Sequence, residues 1–282
     1  MFDHMLVGSL IALALTLPLA WKWQLGVTRV AGSVLVLSCL FSLGVSRLAA
    51  VMAMSVMMRS VLVASLTVAA AGAILAYRFY RDPERTVPHG DDVVVSPADG
   101  IVAYVRSAER GILPISDKKG HQYTLTELTK TKLETDDAVV IGISMSFLDV
   151  HVNRAPIGGR ISLQSHFPGL FGSLRQPEML FANERATTVI DGERMQVAVV
   201  QIASRLVRQI VSFVRTGEQV AVGQRIGVIR LGSQVDVVLP ARHDLRISVT
   251  PGQRLWAGRS VLAEFSTPEE LPTAAMHATE TN

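Results

Sequence analysis

Three short stretches of this 282-residue chain carry side chains suited to acid–base and nucleophilic chemistry. Ser96-Pro97-Ala98-Asp99-Gly100 sets a carboxylate between two strand-like runs. Phe147-Leu148-Asp149-Val150-His151-Val152-Asn153-Arg154-Ala155-Pro156 sets His151, Asn153 and Ala155 in alternation with Val150 and Val152, so His151 lies on one face of an extended segment. Leu231-Gly232-Ser233 sets a serine where a Gly-Ser turn feeds the run Val235-Asp236-Val237-Val238. An acid, an imidazole and a hydroxyl suit an Asp-His-Ser arrangement, in which the acid orients the ring and the ring takes the serine proton. Each stretch also has a plain reading. Asp99-Gly100 is a good turn corner, a lone histidine is often structural, and Gly-Ser recurs at Gly8-Ser9, Gly32-Ser33 and Gly172-Ser173.

The elements that must position these residues read mostly as strands. Val93–Val95, Ile101–Val105, Ala138–Met145, Ile161–Ser165, Met195–Ile202 and Ile226–Arg230 are short, rich in β-branched residues and mostly flanked by Gly, Pro or Asp. Ala203–Val211 reads as a short strand or two helical turns. Ser107–Asp137 is polar and lysine-rich, an excursion loop with a short helix at Leu125–Leu133. Gly217-Glu218-Gln219-Val220-Ala221-Val222-Gly223 and Gly252-Gln253-Arg254-Leu255-Trp256-Ala257-Gly258 share one form, Gly-x-x-apolar-x-x-Gly. Both look like hairpin corners whose glycines take positive φ. The expected fold is a mostly β soluble domain, a compact barrel or sandwich with hairpins of the lipoyl- and biotin-carrier type. Neither corner holds a lysine to carry such a group. Ser266–Asn282 is polar and reads as a loose tail.

Ahead of this domain the chain is apolar. Residues 1–78 hold five basic residues (Lys22, Arg29, Arg47, Arg59, Arg78) and one acid, Asp3, so the net charge of +3 belongs to this segment. The rest of the chain is close to neutral, which argues against a nucleic-acid footprint. Met5–Trp21, Val30–Ser46 and Ser60–Tyr77 could each span a bilayer, at the short end of the roughly 17–25 residues required. Two spans with an interfacial helix is the alternative count. Lys22 and Arg29 share a side with Arg78, Arg81 and Arg85, which points the N-terminus outward and the domain to the cytoplasm of a bacterial-type inner membrane. Cys39 is the single cysteine, so no disulfide or cysteine metal site is expected, and no ligand-spaced cluster suggests a metal.

Arg81-Asp82-Pro83-Glu84-Arg85, the Asp99 and His151 stretches, Asn183-Glu184-Arg185 and Leu231-Gly232-Ser233 follow one another in an order that resembles the phosphatidylserine decarboxylase proenzymes. The likeness is greatest to the short bacterial form, some members of which are assigned to archaetidylserine. It runs from about Tyr80 to Phe265. The resemblance implies a division into an anchor (1–79), a decarboxylase domain (80–265) cut between Gly232 and Ser233, and the tail (266–282). It implies that Ser233 becomes a covalent pyruvoyl group, with His151 and Asp99 in the active site and no metal. His151, oriented by Asp99, would deprotonate Ser233 for attack on the Gly232 carbonyl. The ester formed would eliminate and hydrolyse to pyruvoyl and ammonia.

In turnover the substrate amine would form a Schiff base with that carbonyl, and His151 would return a proton after CO₂ loss. The partners implied are phosphatidylserine in the bilayer and the chain's own two fragments, with self-association left open. Longer family members have a second histidine where this chain has Arg154, so one histidine serving both reactions is the first expectation. A carboxylate- or phosphate-binding role for Arg154 is the second. Pro168-Gly169-Leu170-Phe171 and Met179-Leu180-Phe181 are either lipid-facing loops or core. Two other readings stay open: a membrane-tethered hydrolase using intact Ser233, and a non-catalytic carrier-like β domain.

Overall fold

The computed structural model describes residues 2–23, 25–88, 92–116, 120–174, 176–204, 209–229 and 233–266, with the backbone alone for Val51, Pro177 and Ser233. Three helices come first, α1 Phe2–Lys22, α2 Val27–Val51 and α3 Val56–Tyr80. There follow β1 Val93–Val95, β2 Gly100–Ala108, β3 Ile112–Ser116, β4 Gln122–Thr124, helix α4 Leu125–Thr129, β5 Ala138–Met145, β6 Val152–Arg154 and β7 Gly159–Phe167. Helix α5 Pro177–Ala182 precedes β8 Arg185–Asp191, β9 Gln196–Ala203, β10 Ile210–Ser212, β11 Gln219–Val220 and β12 Arg225–Ile229. The last strands are β13 Ser233–Pro240, β14 Leu245–Ile247, β15 Arg254–Leu255 and β16 Val261–Phe265. These elements form two compact units, Met1–Arg81 with Ser146–Asp149, and Asp82–Met145 with Val150–Asn282.

The first unit is the helical one. All three helices are long and apolar enough to cross a membrane, since more than 20 residues at 1.5 Å each give roughly 30 Å or more. They exceed the predicted spans at both ends because flanking residues, polar and apolar alike, continue the backbone ladder. Small and hydroxylated residues join them: Ser38 meets Thr67 at 3.2 Å and His4 meets Ser46 at 3.0 Å. A Cβ on Gly8 would stand 3.0 Å from the Ser60 carbonyl and from Val63, so a side chain there would press α1 and α3 apart. Phe147 belongs to this unit, stacked on Trp23 with centroids 5.2 Å apart and packed against Phe79.

The second unit is mostly β. Its main sheet has eight strands in the order β11-β7-β8-β9-β13-β5-β2-β15, all antiparallel. Two three-stranded sheets, β1-β16-β14 and β10-β12-β6, complete it with the β3-β4 hairpin. Side chains of the central strands alternate between two cores. Ile141, Ile143, Val197, Val199, Val235 and Val237 join one, whereas Val140, Ala198, Val200, Ile202 and Val238 join the other. Burial on both faces explains why these strands read as nearly unbroken apolar runs.

Gly217, Gly223, Gly252 and Gly258 have φ of 95°, 75°, 89° and 71°, the left-handed values expected of the two hairpin corners. The predicted excursion 107–137 is more ordered than expected. It holds the end of β2, the β3-β4 hairpin and α4, whose start is a capping box between Thr124 and Glu127. Met179-Leu180-Phe181 lies within α5. Leu180 and Phe181 are core, with Phe181 stacked on Tyr123 at 3.8 Å, while Leu170 is exposed. The loose-tail reading falls on residues 267–282, outside the described residues.

Candidate active site

Asp99 lies between β1 and β2 and is 2% exposed. Its carboxylate accepts two hydrogen bonds from the Arg85 guanidinium, at 2.6 and 2.9 Å. It also accepts the amide of Ala257 at 2.8 Å and, at 3.4 Å, that of Val150, the residue before His151. The loop that holds it is tightly fixed. Ser96 donates through its hydroxyl to the Ala98 carbonyl and accepts through its own carbonyl from the Gly258 amide. A Cβ at Gly100 would overlap the Ser144 carbonyl oxygen, so this turn needs glycine to sit against β5.

His151 is likewise 2% exposed. Its carbonyl accepts the amide of Ile229 at 3.1 Å, and the following residues pair with β12: Val152 with Val228, Asn153 with Gly227, Arg154 with Arg225. Ser233 stands four residues beyond Ile229, a span of at most about 14 Å for an extended chain. It opens β13 in the middle of the sheet, paired with Met145 of β5 on one side and Ala203 of β9 on the other. The backbone thus brings residues 151 and 233 into one neighbourhood through ladders that neither the Asp99 nor the His151 stretch announces. Gly232 and Leu231 lie outside the described residues.

Arg154 is 4% exposed and committed within the domain. It donates to the Gly223 carbonyl at 3.0 Å, the Asp82 carboxylate at 3.0 Å and the Pro83 carbonyl at 3.1 Å. Asp82 also pairs with Arg225, and Glu84 holds the same guanidinium at 2.7 Å. Residues 82–85 therefore lie strapped along the site by three arginines, two of them from the facing strands β6 and β12.

Two residues that the sequence showed only as motif letters hold the strand beside Ser233. Asn183 donates to the Ala203 carbonyl at 2.9 Å, and the Glu184 carbonyl accepts the Ala203 amide at 2.9 Å. Asn153 accepts from Gln201 of β9 at 2.7 Å and donates to the Pro97 carbonyl at 3.4 Å, linking β6, β9 and the Asp99 loop. The signal for Gln201 was a lone amide inside the apolar run Val197–Ile202. Arg185 is fully buried and donates to the carbonyls of Asn183, Glu127, Leu128 and Leu180. Burial lowers its pKa to about 10, so it stays charged at neutral pH. It gathers the C-terminal carbonyls of α4 and α5, where a cation is favoured.

Asp236, three residues after Ser233, is another buried acid. Its carboxylate accepts from the Tyr104 hydroxyl at 2.7 Å and from Gln234 at 2.6 Å. Burial raises its pKa to about 6 against the opposing pull of those hydrogen bonds and of Arg185, and burial together with Asp236 raises that of Tyr104. A cavity of about 570 Å³ is lined by Ile157, Arg160, Asp191, Arg194 and Phe265 among others and by none of Asp99, His151 or Arg154.

The phosphatidylserine decarboxylase family model matches residues 73–263. A protein of Methanocaldococcus jannaschii, named as an archaetidylserine decarboxylase proenzyme, is 40% identical over 185 residues, 66% of this chain and 87% of its own length. Phosphatidylserine decarboxylase proenzymes of Xanthobacter autotrophicus and Erythrobacter litoralis are 39% and 41% identical over 202 and 187 residues, covering 72% and 66% of this chain and 78% and 71% of theirs. With the match spanning every element that surrounds Asp99, His151 and Ser233, the chain belongs to the phosphatidylserine decarboxylase family.

Proposed function

We propose that the chain cuts itself between Gly232 and Ser233 and then decarboxylates phosphatidylserine to phosphatidylethanolamine at the membrane surface. The observation that carries this reading is the position of Ser233 as the first residue of a central strand, held on both sides. A cut before it leaves the ladder of β13 from Gln234 to Pro240 in place. The fragment 233–282 keeps its place through β13 with β5 and β9, β15 with β2, and β16 with β1. A carbonyl group at residue 233 would thus stay anchored by two neighbours after the chain is broken, which is what a pyruvoyl group at that position requires.

In this reading His151 takes the Ser233 hydroxyl proton and Oγ attacks the Gly232 carbonyl carbon. The peptide C–N bond breaks as the Ser233 nitrogen takes a proton, leaving an ester. Loss of the Cα proton then expels the Gly232 carboxylate, and hydrolysis of the dehydroalanine releases ammonia. The pyruvoyl group supplies the electron sink for decarboxylation. His151 returns a proton to the carbon that has lost CO₂, and Asp99 holds the segment that carries His151.

Arg154, given its three internal acceptors, acts by holding residues 82–85 rather than by binding the substrate carboxylate or phosphate. The domain facing the cytoplasm, the boundaries 80–265, and the likeness of the two glycine-framed turns to carrier-type hairpins belong to the same reading. Phosphatidylserine and archaetidylserine share the serine phosphodiester on which this chemistry acts, and the name of the M. jannaschii relative makes the second lipid a specific alternative.

Intact mass and denaturing gels of the purified full chain test the proposal. Two fragments are expected, the smaller without a free N-terminal amine, together with CO₂ release from a serine lipid. Ser233→Ala should remain one inactive chain. A single uncut chain labelled by a serine-reactive probe would point to the hydrolase instead, and a two-chain Ser233→Ala protein would remove the pyruvoyl assignment. Presenting both lipids decides between the two tails.

A further inference from the structure

Trp256 is 48% exposed and directly follows β15, the strand that ends the eight-strand order. Alternation along the turn buries Leu255 and Ala257 and leaves Arg254, Trp256 and Arg259 outside. Ile101, the direct partner of Arg254 on β2, is 44% exposed as well. The turn is firmly built. The Trp256 amide donates to the Ser260 hydroxyl at 2.9 Å, and its carbonyl accepts the amides of Arg259 and Ser260 at 3.1 and 3.0 Å. Ala257, the next residue, gives its amide to Asp99 and its carbonyl to Arg85. An indole and an isoleucine thus stand in solvent beside the candidate active site on a frame that does not let them fold away.

We propose that this edge, Trp256 with Ile101 and the basic rim Arg254 and Arg259, rests on the surface of an anionic bilayer. The composition suits a headgroup layer, where the amphipathic indole settles and guanidinium groups meet lipid phosphates. Residues 250–261 contain two arginines and no acid, so the charge complements an anionic surface. The protein already carries three helices able to cross a membrane. Arg85, bonded to Ala257, follows the last residue of α3 by five positions, a tether of about 18 Å at most. A strand of two residues offers little edge for pairing with a second copy of the chain. The surface would seat the Asp99 side of the domain at the level where a serine headgroup lies, which adds an interfacial contact to the anchoring by the helices.

Fluorescence of the full chain in vesicles tests this. Trp21→Phe with Trp23→Phe leaves Trp256 as the single tryptophan of the three and keeps a ring against Phe147. Vesicles of phosphatidylglycerol, an anionic lipid that lacks the serine amine, are compared with phosphatidylcholine. Lipid brominated high on its acyl chains should quench Trp256 at least twofold more in the anionic vesicles, with matching protection from aqueous acrylamide. Arg254→Glu with Arg259→Glu should abolish that difference while the self-cleaved fraction stays as in the parent, which shows the domain folded. Trp256 emission untouched by brominated lipid and open to acrylamide in both vesicles would overturn the proposal. So would protection that follows protein concentration and not lipid charge, which would assign the surface to a second copy.

Discussion

Arg85 and Asp99 form a two-pronged ion pair, with both nitrogens of the guanidinium within 2.9 Å of the carboxylate and side-chain exposures of 7% and 3%. The pair links the segment that leaves the last helix to the loop that holds the backbone at Val150. Arginine suits this position because its planar fork matches both carboxylate oxygens, which a lysine cannot do.

Removing one partner of a buried ion pair leaves the other charge uncompensated, at a cost of about 3–5 kcal/mol. Arg85→Ala should therefore lower the thermal midpoint strongly and reduce self-cleavage. Arg85→Ala with Asp99→Asn should recover part of the midpoint, because the orphaned charge is gone, without recovering cleavage. A double-mutant cycle on thermal midpoints in detergent measures this. Additive losses in the two single variants would show that the pair contributes no coupling.

His151→Ala should stop self-cleavage, with a rate loss of up to about a millionfold, the scale of losing the base from a serine hydrolase triad. Any matured fraction should remain inactive, because one histidine serves both steps in the proposed mechanism. Fraction cleaved on gels and CO₂ release per cleaved enzyme are read on the same sample. Native rates in both would remove His151 from the mechanism.

Arg154→Ala should lose about 1–3 kcal/mol of stability, since the buried Gly223 carbonyl loses this donor and Asp82 and the Pro83 carbonyl each lose one as well. Cleavage should fall with it. A variant that folds and cleaves as the parent does, but has a raised KM for phosphatidylserine, would instead return Arg154 to the substrate.

Asp236 predicts a pH dependence. Its folded pKa of about 6 lies above the ordinary carboxylate value, so the folded state binds the proton more tightly than the unfolded chain. Its contribution to stability is fully present below the unfolded pKa of about 4 and is lost as pH rises through 6. Asp236→Asn removes the ionisation, and its midpoint relative to the parent should therefore be higher at pH 7 than at pH 4.5. An equal difference at the two pH values would mean that Asp236 does not titrate in this window.

The helices and the central strands were legible in the sequence because their physics is local. Long apolar runs mark α1 to α3, and β-branched runs mark β5, β9 and β12, whose two buried faces tolerate little else. The glycine corners were legible for the same reason, since left-handed φ at Gly217, Gly223, Gly252 and Gly258 is a property of single residues. Strand β8 was missed. Its start at Arg185 is charged, and only the carbonyls of α4 and α5, brought from 57 positions away and from five, make that charge acceptable.

The residues able to do chemistry were named from their types and order, but their partners were not. Arg85 meets Asp99 across 14 positions, Asp82 meets Arg154 across 72, and Asn183 reaches the neighbour of Ser233 across the end of β9. Hydrogen bonds of this kind are decided by which strands lie side by side, and strand order is a property of the whole sheet rather than of any window of sequence. The sequence by itself determined that an acid, a histidine and a serine were present behind three long apolar runs. Only the tertiary structure put Ser233 at the head of a central strand, where two neighbours hold it whether or not the bond before it is intact.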